Sequence, residues 1–346
     1  MEDNELDSSR PSGTQSRRTE DILRVITVAL VVAVLGAGGF FGYTVWDTRR
    51  AESESTPAQR ALAVLQQEVR QDPNSAAKRV RLGEALAAAG LYDQAAEQFQ
   101  AAIKIDGTHT GAWLDLGLVA MRVDDPAAAE KHFAKVIELT EGADYEGINQ
   151  RRELALFHLG EIALDARRFE DAAANFKAAL RIRRDSSTTY YLLAQSFRGL
   201  GSDGPALENL DAALAFDPNY AEAHFLYGEI LLDQDDRVNA AVHLRRAAEL
   251  APDVSAPRER LALLGSVEDA IARSKAALDE RSYEVATEEA LLARALEPDD
   301  VEAGLTHARA LVAAAEKDAA RTVLEEVLEL DAGNAEAEKM LAGLGG

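Results

Sequence analysis

The chain contains no cysteine. That excludes a disulfide framework, Cys-ligated zinc, iron–sulfur clusters, a cysteine nucleophile and a lipoprotein-type lipid anchor. Positive charge is in deficit: Lys and Arg number 37 against 60 Asp and Glu, a net −23. A chain this acidic repels nucleic-acid phosphates, which argues against general DNA or RNA binding. Aromatic residues are only 6%. Catalytic signatures are missing as well. The six histidines, His109, His132, His158, His224, His243 and His307, form neither H-x-x-x-H nor H-E-x-x-H, and each is read as structural. There is no G-x-S-x-G, no P-loop and no G-x-G-x-x-G after a strand. The abundant carboxylates read as solvated helix faces. The chain is therefore expected to be no enzyme and to carry no metal or cofactor.

What is present is alanine, within a 47% apolar composition spread over 346 residues. Alanine richness with few strand formers points to close-packed helices. The length allows two or three domains or one long array.

One apolar run stands apart. Residues 25–46, VITVALVVAVLGAGGFFGYTVW, carry no charge. As a helix the run spans about 33 Å, enough for a bilayer core. Arg24 flanks one edge, and Phe40, Phe41, Tyr43 and Trp46 form an interfacial belt at the other. The run is too long for a cleaved signal, and Asp47-Thr48-Arg49-Arg50 follows it in place of a small-residue cleavage site. Glu20 and Asp21 rule out a twin-arginine signal after Arg17-Arg18. Four arginines precede the span (Arg10, Arg17, Arg18, Arg24) and three follow it (Arg49, Arg50, Arg60). That places the N-terminus in the cytoplasm and the rest in periplasm or extracellular space. Residues 1–24 read as a disordered tail. Ala29, Ala33 and Ala37, with Gly38 and Gly42 in a G-x-x-x-G, give the span a small-residue face suited to homodimerisation.

Beyond residue 75 a 34-residue period takes over. Leu82-Gly83 is followed by Ala95, Phe99 and Ala102; Leu116-Gly117 by Ala129 and Phe133; Leu159-Gly160 by Ala172, Phe176 and Ala179. Tyr190 and Leu193 precede Ala206, Leu210 and Pro218; Tyr227-Gly228 precedes Ala240, Leu244 and Pro252. At these positions the chain resembles the tetratricopeptide repeat (TPR) family, with one helix pair per repeat. The small residues let two helices cross closely, the Phe or Leu fills the space between repeats, and Asp-Pro or Glu-Pro ends the second helix. The resemblance predicts an all-α helix-turn-helix solenoid in two arrays behind a single transmembrane helix. Repeats are expected at 76–109, 110–143, 153–186, 187–220 and 221–254, with an insertion at 144–152. A linker and capping half-repeat occupy 47–75, and a lone helix at 255–265 closes the first array, 76–265. A second array, 267–346, has two weaker repeats and a capping helix; they keep Tyr283, Ala286, Ala293, Ala308, Leu311, Ala320 and Leu324 but lack the first-helix glycine and tyrosine at the packing sites. From 267 to 346 there are 19 acids and 8 bases, which reads as a solvated surface or a docking face for a basic partner.

In this family ligands usually meet positions five, nine and twelve of each repeat. The resemblance thus implies a groove of Leu114, Leu118 and Met121; Phe157, Glu161 and Leu164; Tyr191, Gln195 and Arg198; Phe225, Glu229 and Leu232. This is an apolar stripe edged by acids and one Arg. Two readings of the aromatic positions stay open: a ligand ladder, or packing against neighbouring helices. The carboxylate clamp of co-chaperone members does not carry over. Its cationic and amide positions hold Val80, Glu84, Asp115, Leu154 and His158 here, and two acids would repel a carboxylate. Apolar or basic protein segments fit better.

The layout is similar to that of bacterial envelope TPR proteins with scaffold or chaperone-associated roles. It implies a membrane-anchored scaffold or adaptor in a membrane-associated assembly. The alternatives are a holdase-like chaperone for secreted or translocating chains and an accessory subunit of a membrane enzyme complex, such as one for cytochrome maturation.

Overall fold

The computed structural model describes residues 56–142 and 150–345. The 25–46 run, with Ala29, Ala33, Ala37, Gly38 and Gly42, lies outside the described residues. No helix among the described residues is long and apolar enough to cross a membrane.

The chain divides into two compact units between Ile105 and Asp106. In the first, α1 (Pro57–Gln71) packs on α2 (Ala76–Ala88), and α2 pairs with α3 (Tyr92–Ile105). A capping box starts α1: Thr56 Oγ1 accepts from the Gln59 backbone N–H, and the Gln59 side chain accepts from the Thr56 N–H.

In the second unit the hairpins are α4 (Thr110–Arg122) with α5 (Pro126–Thr140), α6 (Gln150–Asp165) with α7 (Phe169–Ile182), α8 (Ser187–Gly199) with α9 (Asp203–Phe216), and α10 (Ala221–Asp233) with α11 (Arg237–Leu250). The short α12 (Ala256–Ala262) follows. Then come α13 (Val267–Asp279) with α14 (Tyr283–Leu296), α15 (Val301–Ala313) with α16 (Lys317–Leu330), and α17 (Ala335–Leu344). Part of the inserted sequence, residues 150–152, lies within the first turn of α6.

Two contacts recur in these hairpins because the sequence repeats their residue types. The first is at the helix crossing. A Cβ on Gly83 would lie 2.6 Å from the Phe99 ring, on Gly117 2.5 Å from Phe133, on Gly160 2.5 Å from Phe176, and on Gly228 2.6 Å from Leu244. Each glycine meets a side chain 16 residues on, so the large residue fills the crossing of its own hairpin. It also reaches the next repeat, since the Phe133 ring stacks on His158 at 5.3 Å. The second is the turn. Gly90, Asp124, Arg167, Gly201, Asp235, Arg281 and Ala315 all have φ between +56° and +76°. They occupy the same place in seven hairpins. There the chain leaves the first helix through a left-handed residue, and the next N–H reaches back to close the helix end, as in Leu91 N–H to Leu86 O at 2.9 Å.

The last hairpins are joined to the preceding ones through charge. Glu289 on α14 is buried and accepts from Arg237 on α11 and Arg273 on α13, each at 2.8 Å. Burial alone would raise its carboxyl, but the two guanidiniums outweigh that and hold it below the usual carboxylate range. The Arg245 Nε–H also donates to Ala295 O at 3.2 Å.

Candidate protein-binding face

The residues at positions five, nine and twelve lie on α4, α6, α8 and α10, the first helices of successive hairpins. Leu114 is buried, and Leu118 and Met121 are half-buried against the core around Phe133. Phe157 is half-buried and meets Phe176 edge-on at 6.0 Å; Leu164 packs on the same cluster. Tyr191 packs on the core of the α8–α9 hairpin and lies 5.0 Å from the Tyr220 ring. Its hydroxyl accepts from Gln195 Nε2 at 2.8 Å. Burial, helped by the neighbouring Tyr220 and Glu222, pushes that hydroxyl up to about 12. Leu232 packs on the cluster beneath the second array. Phe225 is half-buried, and among the described residues it belongs neither to the core cluster around Phe176 nor to the one around Leu210. Among the described residues no ring contact joins Phe157, Tyr191 and Phe225 to one another; the structure gives each its own neighbours.

The charged members have partners within the fold. Glu161 pairs with His158 at 2.7 Å, and Glu229 with Arg260 at 3.0 Å. Arg198 bonds Asp203 at 2.6 Å and also pairs with Asp233 on α10. The Asp203 bond, then Asp233, holds the guanidinium above its ordinary range, with burial opposing. At the edge of this face Arg198 and Glu229 thus meet opposite charges within the fold, while Glu161 meets an imidazole.

Sequence reasoning missed one polar constellation. His224 on α10 and His243 on α11 approach with Nδ1 to Nδ1 at 3.0 Å, and Tyr227 stacks on His243 at 4.0 Å. His224 Nε2 lies 3.2 Å from the Pro218 carbonyl, which can only accept. His224 Nε2 is therefore the protonated nitrogen, its Nδ1 accepts, and His243 Nδ1 donates. Burial pushes His243 down to about 4, and His224 adds to the shift. The signal was in the register: residues 19 apart also meet at Trp113–His132 and Arg79–Gln98. Among the described residues no three His, Asp or Glu side chains converge as a metal site.

The fold is a set of stacked antiparallel helix hairpins with a regular crossing and turn, which defines a helical-repeat protein. The family model described as tetratricopeptide repeat matches residues 58–110, 114–187 and 191–255, more than half the chain, and the chain belongs to that family. It is 24% identical over 191 residues to anaphase-promoting complex subunit 3 of Schizosaccharomyces pombe, covering 55% of this chain and 27% of that protein. It is 22% identical over 189 residues to the protein O-mannosyl-transferase TMTC3 of Homo sapiens, covering 46% of this chain and 21% of that one. The chain thus spans about a quarter of the length of these curated relatives. Among solved structures, YrrB, described as a TPR protein with an unusual peptide-binding site, is 16% identical, with a TM-score of 0.49 over 56% of this chain and 96% of that one.

Proposed function

We propose that the chain is a membrane-anchored scaffold that holds partner proteins on the first-helix face of its array. Arrays of this family generally mediate protein–protein contact and are typically non-catalytic. The observation that carries the reading is the repeated face itself: half-buried Leu118, Met121, Phe157, Tyr191 and Phe225 at positions five, nine and twelve of successive repeats. Partially exposed aromatic and aliphatic side chains in a row suit an apolar segment, and Glu161 at the edge, which meets no Lys or Arg among the described residues, adds a preference for a basic neighbour.

The anchor rests on the uncharged 25–46 run, and the orientation on the arginine bias around it. On this reading the protein is single-pass, the tail is cytoplasmic, and the array lies in periplasm or outside the cell. The Ala29, Ala33, Ala37, Gly38 and Gly42 face supplies a homodimer contact.

Cross-linking the intact protein in its membrane and recovering it with its neighbours tests the proposal. A stable partner in fixed proportion supports a scaffold. Many unrelated chains in trace amounts would favour a holdase instead. Protease added to intact spheroplasts should cut residues beyond about Thr48; protection until lysis contradicts the orientation.

A further inference from the structure

The opposite side of α8 carries a second surface, independent of the first-helix face. Tyr190, Leu193 and Phe197 point about 130° around the helix from Tyr191, Gln195 and Arg198, at about 100° per residue. They form the floor of a cleft of about 660 Å³ between α7, α8 and the start of α9, within the size range of binding pockets. Its wall is a row of cations, Lys177 and Arg181 on α7 and Arg184 just past the helix end. All three are exposed.

This row is unusual in so acidic a chain. Between residues 150 and 200 there are nine Lys and Arg against six Asp and Glu, while the whole chain carries −23. Neighbouring cations are engaged by the fold: Arg183 by buried Glu153 at 3.4 Å, Arg168 by Glu130 at 3.0 Å, and Arg198 by Asp203. Among the described residues no ion pair or hydrogen bond engages Arg181 or Arg184. Lys177 lies over the Phe197 ring, 4.5 Å from its centre, and meets no carboxylate. Glu208 is the only acid of the cleft. Three cations beside an aromatic floor are thus left uncompensated.

We propose that this cleft docks an extended acidic peptide segment of a partner protein, with an aromatic or aliphatic anchor on Tyr190, Leu193 and Phe197. The spacing fits such a ligand. Residues four apart on α7 are separated by about 6 Å along the helix axis. Alternate residues of an extended strand advance by about 6.6 Å. Carboxylates at every second peptide position therefore match Lys177 and Arg181, the next one meets Arg184 beyond the helix end, and the anchor between them turns to the floor. A nucleic acid fits poorly: three cations compensate few phosphates, and the rest of the molecule repels them. The array then presents two faces of opposite preference, apolar-to-basic on one side of α8 and acidic on the other.

The test uses the full-length chain and a fluorescent ten-residue probe peptide with glutamate at alternate positions and one central phenylalanine. Anisotropy should show saturable binding that weakens as salt rises. Replacing glutamate by glutamine in the probe, or changing the protein by K177E/R181E/R184E, should each weaken binding by roughly tenfold or more. The milder K177Q/R181Q/R184Q should fall between, and circular dichroism should stay unchanged in both variants because these side chains are exposed. Equal binding of the glutamine probe, or binding unchanged by charge reversal, overturns the proposal. So does salt-sensitive self-association that the reversal abolishes while the probe does not bind, since the occupant is then a second copy of the chain.

Discussion

The hairpins from 110 to 250 and those from 267 to 330 reach the same geometry with different residues. In three of the four earlier hairpins a glycine faces a fully buried Phe or Leu, Gly117–Phe133, Gly160–Phe176 and Gly228–Leu244, while α8–α9 uses Ala194–Leu210. In the later group the equivalent pairs are Ser274–Ala290 and Ala308–Leu324, all fully buried. The Ser274 hydroxyl also spans its crossing, donating to Ala286 O at 2.7 Å. Little ring volume remains there, and charge pairs add links between helices, as Arg168–Glu130 and Arg198–Asp233 also do in the earlier group. Glu289 binds Arg237 and Arg273, Lys275 reaches Glu302 at 2.8 Å, and Arg309 bridges Glu302 and Glu336 at 3.1 and 2.8 Å. The comparison teaches that the repeat is set by crossing distance and turn geometry. The glycine–aromatic pair is one way to meet them, and small-on-small packing with ionic links is another.

The largest expected effect lies in the first group. Phe176→Ala removes a fully buried ring and should cost about 3–5 kcal/mol, read by urea unfolding. A loss below about 1 kcal/mol would mean that the crossing collapses around the void, erasing the contrast with the later hairpins. In the second group Glu289→Ala leaves two guanidiniums without their shared carboxylate. Because both reach solvent, the cost should be about 1–3 kcal/mol, below that of breaking a fully buried pair. Hydrogen exchange should show the loss concentrated beyond residue 267. Uniform loss across 110–345 would mean that the two groups do not differ in how they are held.

Acid should weaken both groups through neutral histidines. Burial pushes His243 and His307 down to about 4 from 6.5, with His224 and Arg294 adding to the respective shifts. The folded chain then binds fewer protons than the unfolded chain between these values. This contribution is complete above about pH 6.5 and is lost as pH falls toward 4. Urea midpoints should drop across that window, and His243→Gln with His307→Gln should flatten the drop. An unchanged slope would assign the acid sensitivity to carboxylates. The smallest effect is at the turns. Ala315 sits at φ +66°, where Gly90 and Gly201 serve in other repeats, so Ala315→Gly should gain up to about 1 kcal/mol. A loss of stability there would show that the left-handed turn is not strained.

Much of this was legible because the period is visible in single residues. Gly83, Gly117 and Gly160, each followed 16 residues later by phenylalanine, disclose helix pairs by their spacing alone. The α13–α16 hairpins are fainter since Ser274 and Ala308 carry no distinctive signature. The site was harder to read. Position numbers mark Phe157, Tyr191 and Phe225 as equivalent, yet their surroundings differ: Phe176 lies under the first, Tyr220 beside the second, and among the described residues no aromatic ring pairs with the third. Such differences depend on what neighbouring helices offer, which a repeat position does not encode. The same holds for Arg198, whose pairing with Asp233 crosses between hairpins. Net charge hid the Lys177–Arg181–Arg184 row, because a total of −23 averages over local surplus.

The central claim, that the first-helix face captures a protein partner, is tested most directly by Phe225→Ala beside Phe157→Ala in the intact protein, with melting and cross-linked partner yield measured on each. Phe157→Ala should lower the melting temperature, since its ring packs on Phe176. Phe225→Ala should lower melting less than Phe157→Ala does and sharply reduce the yield of captured partner. A Phe225→Ala protein that melts like the original and captures its partner in full would contradict the account.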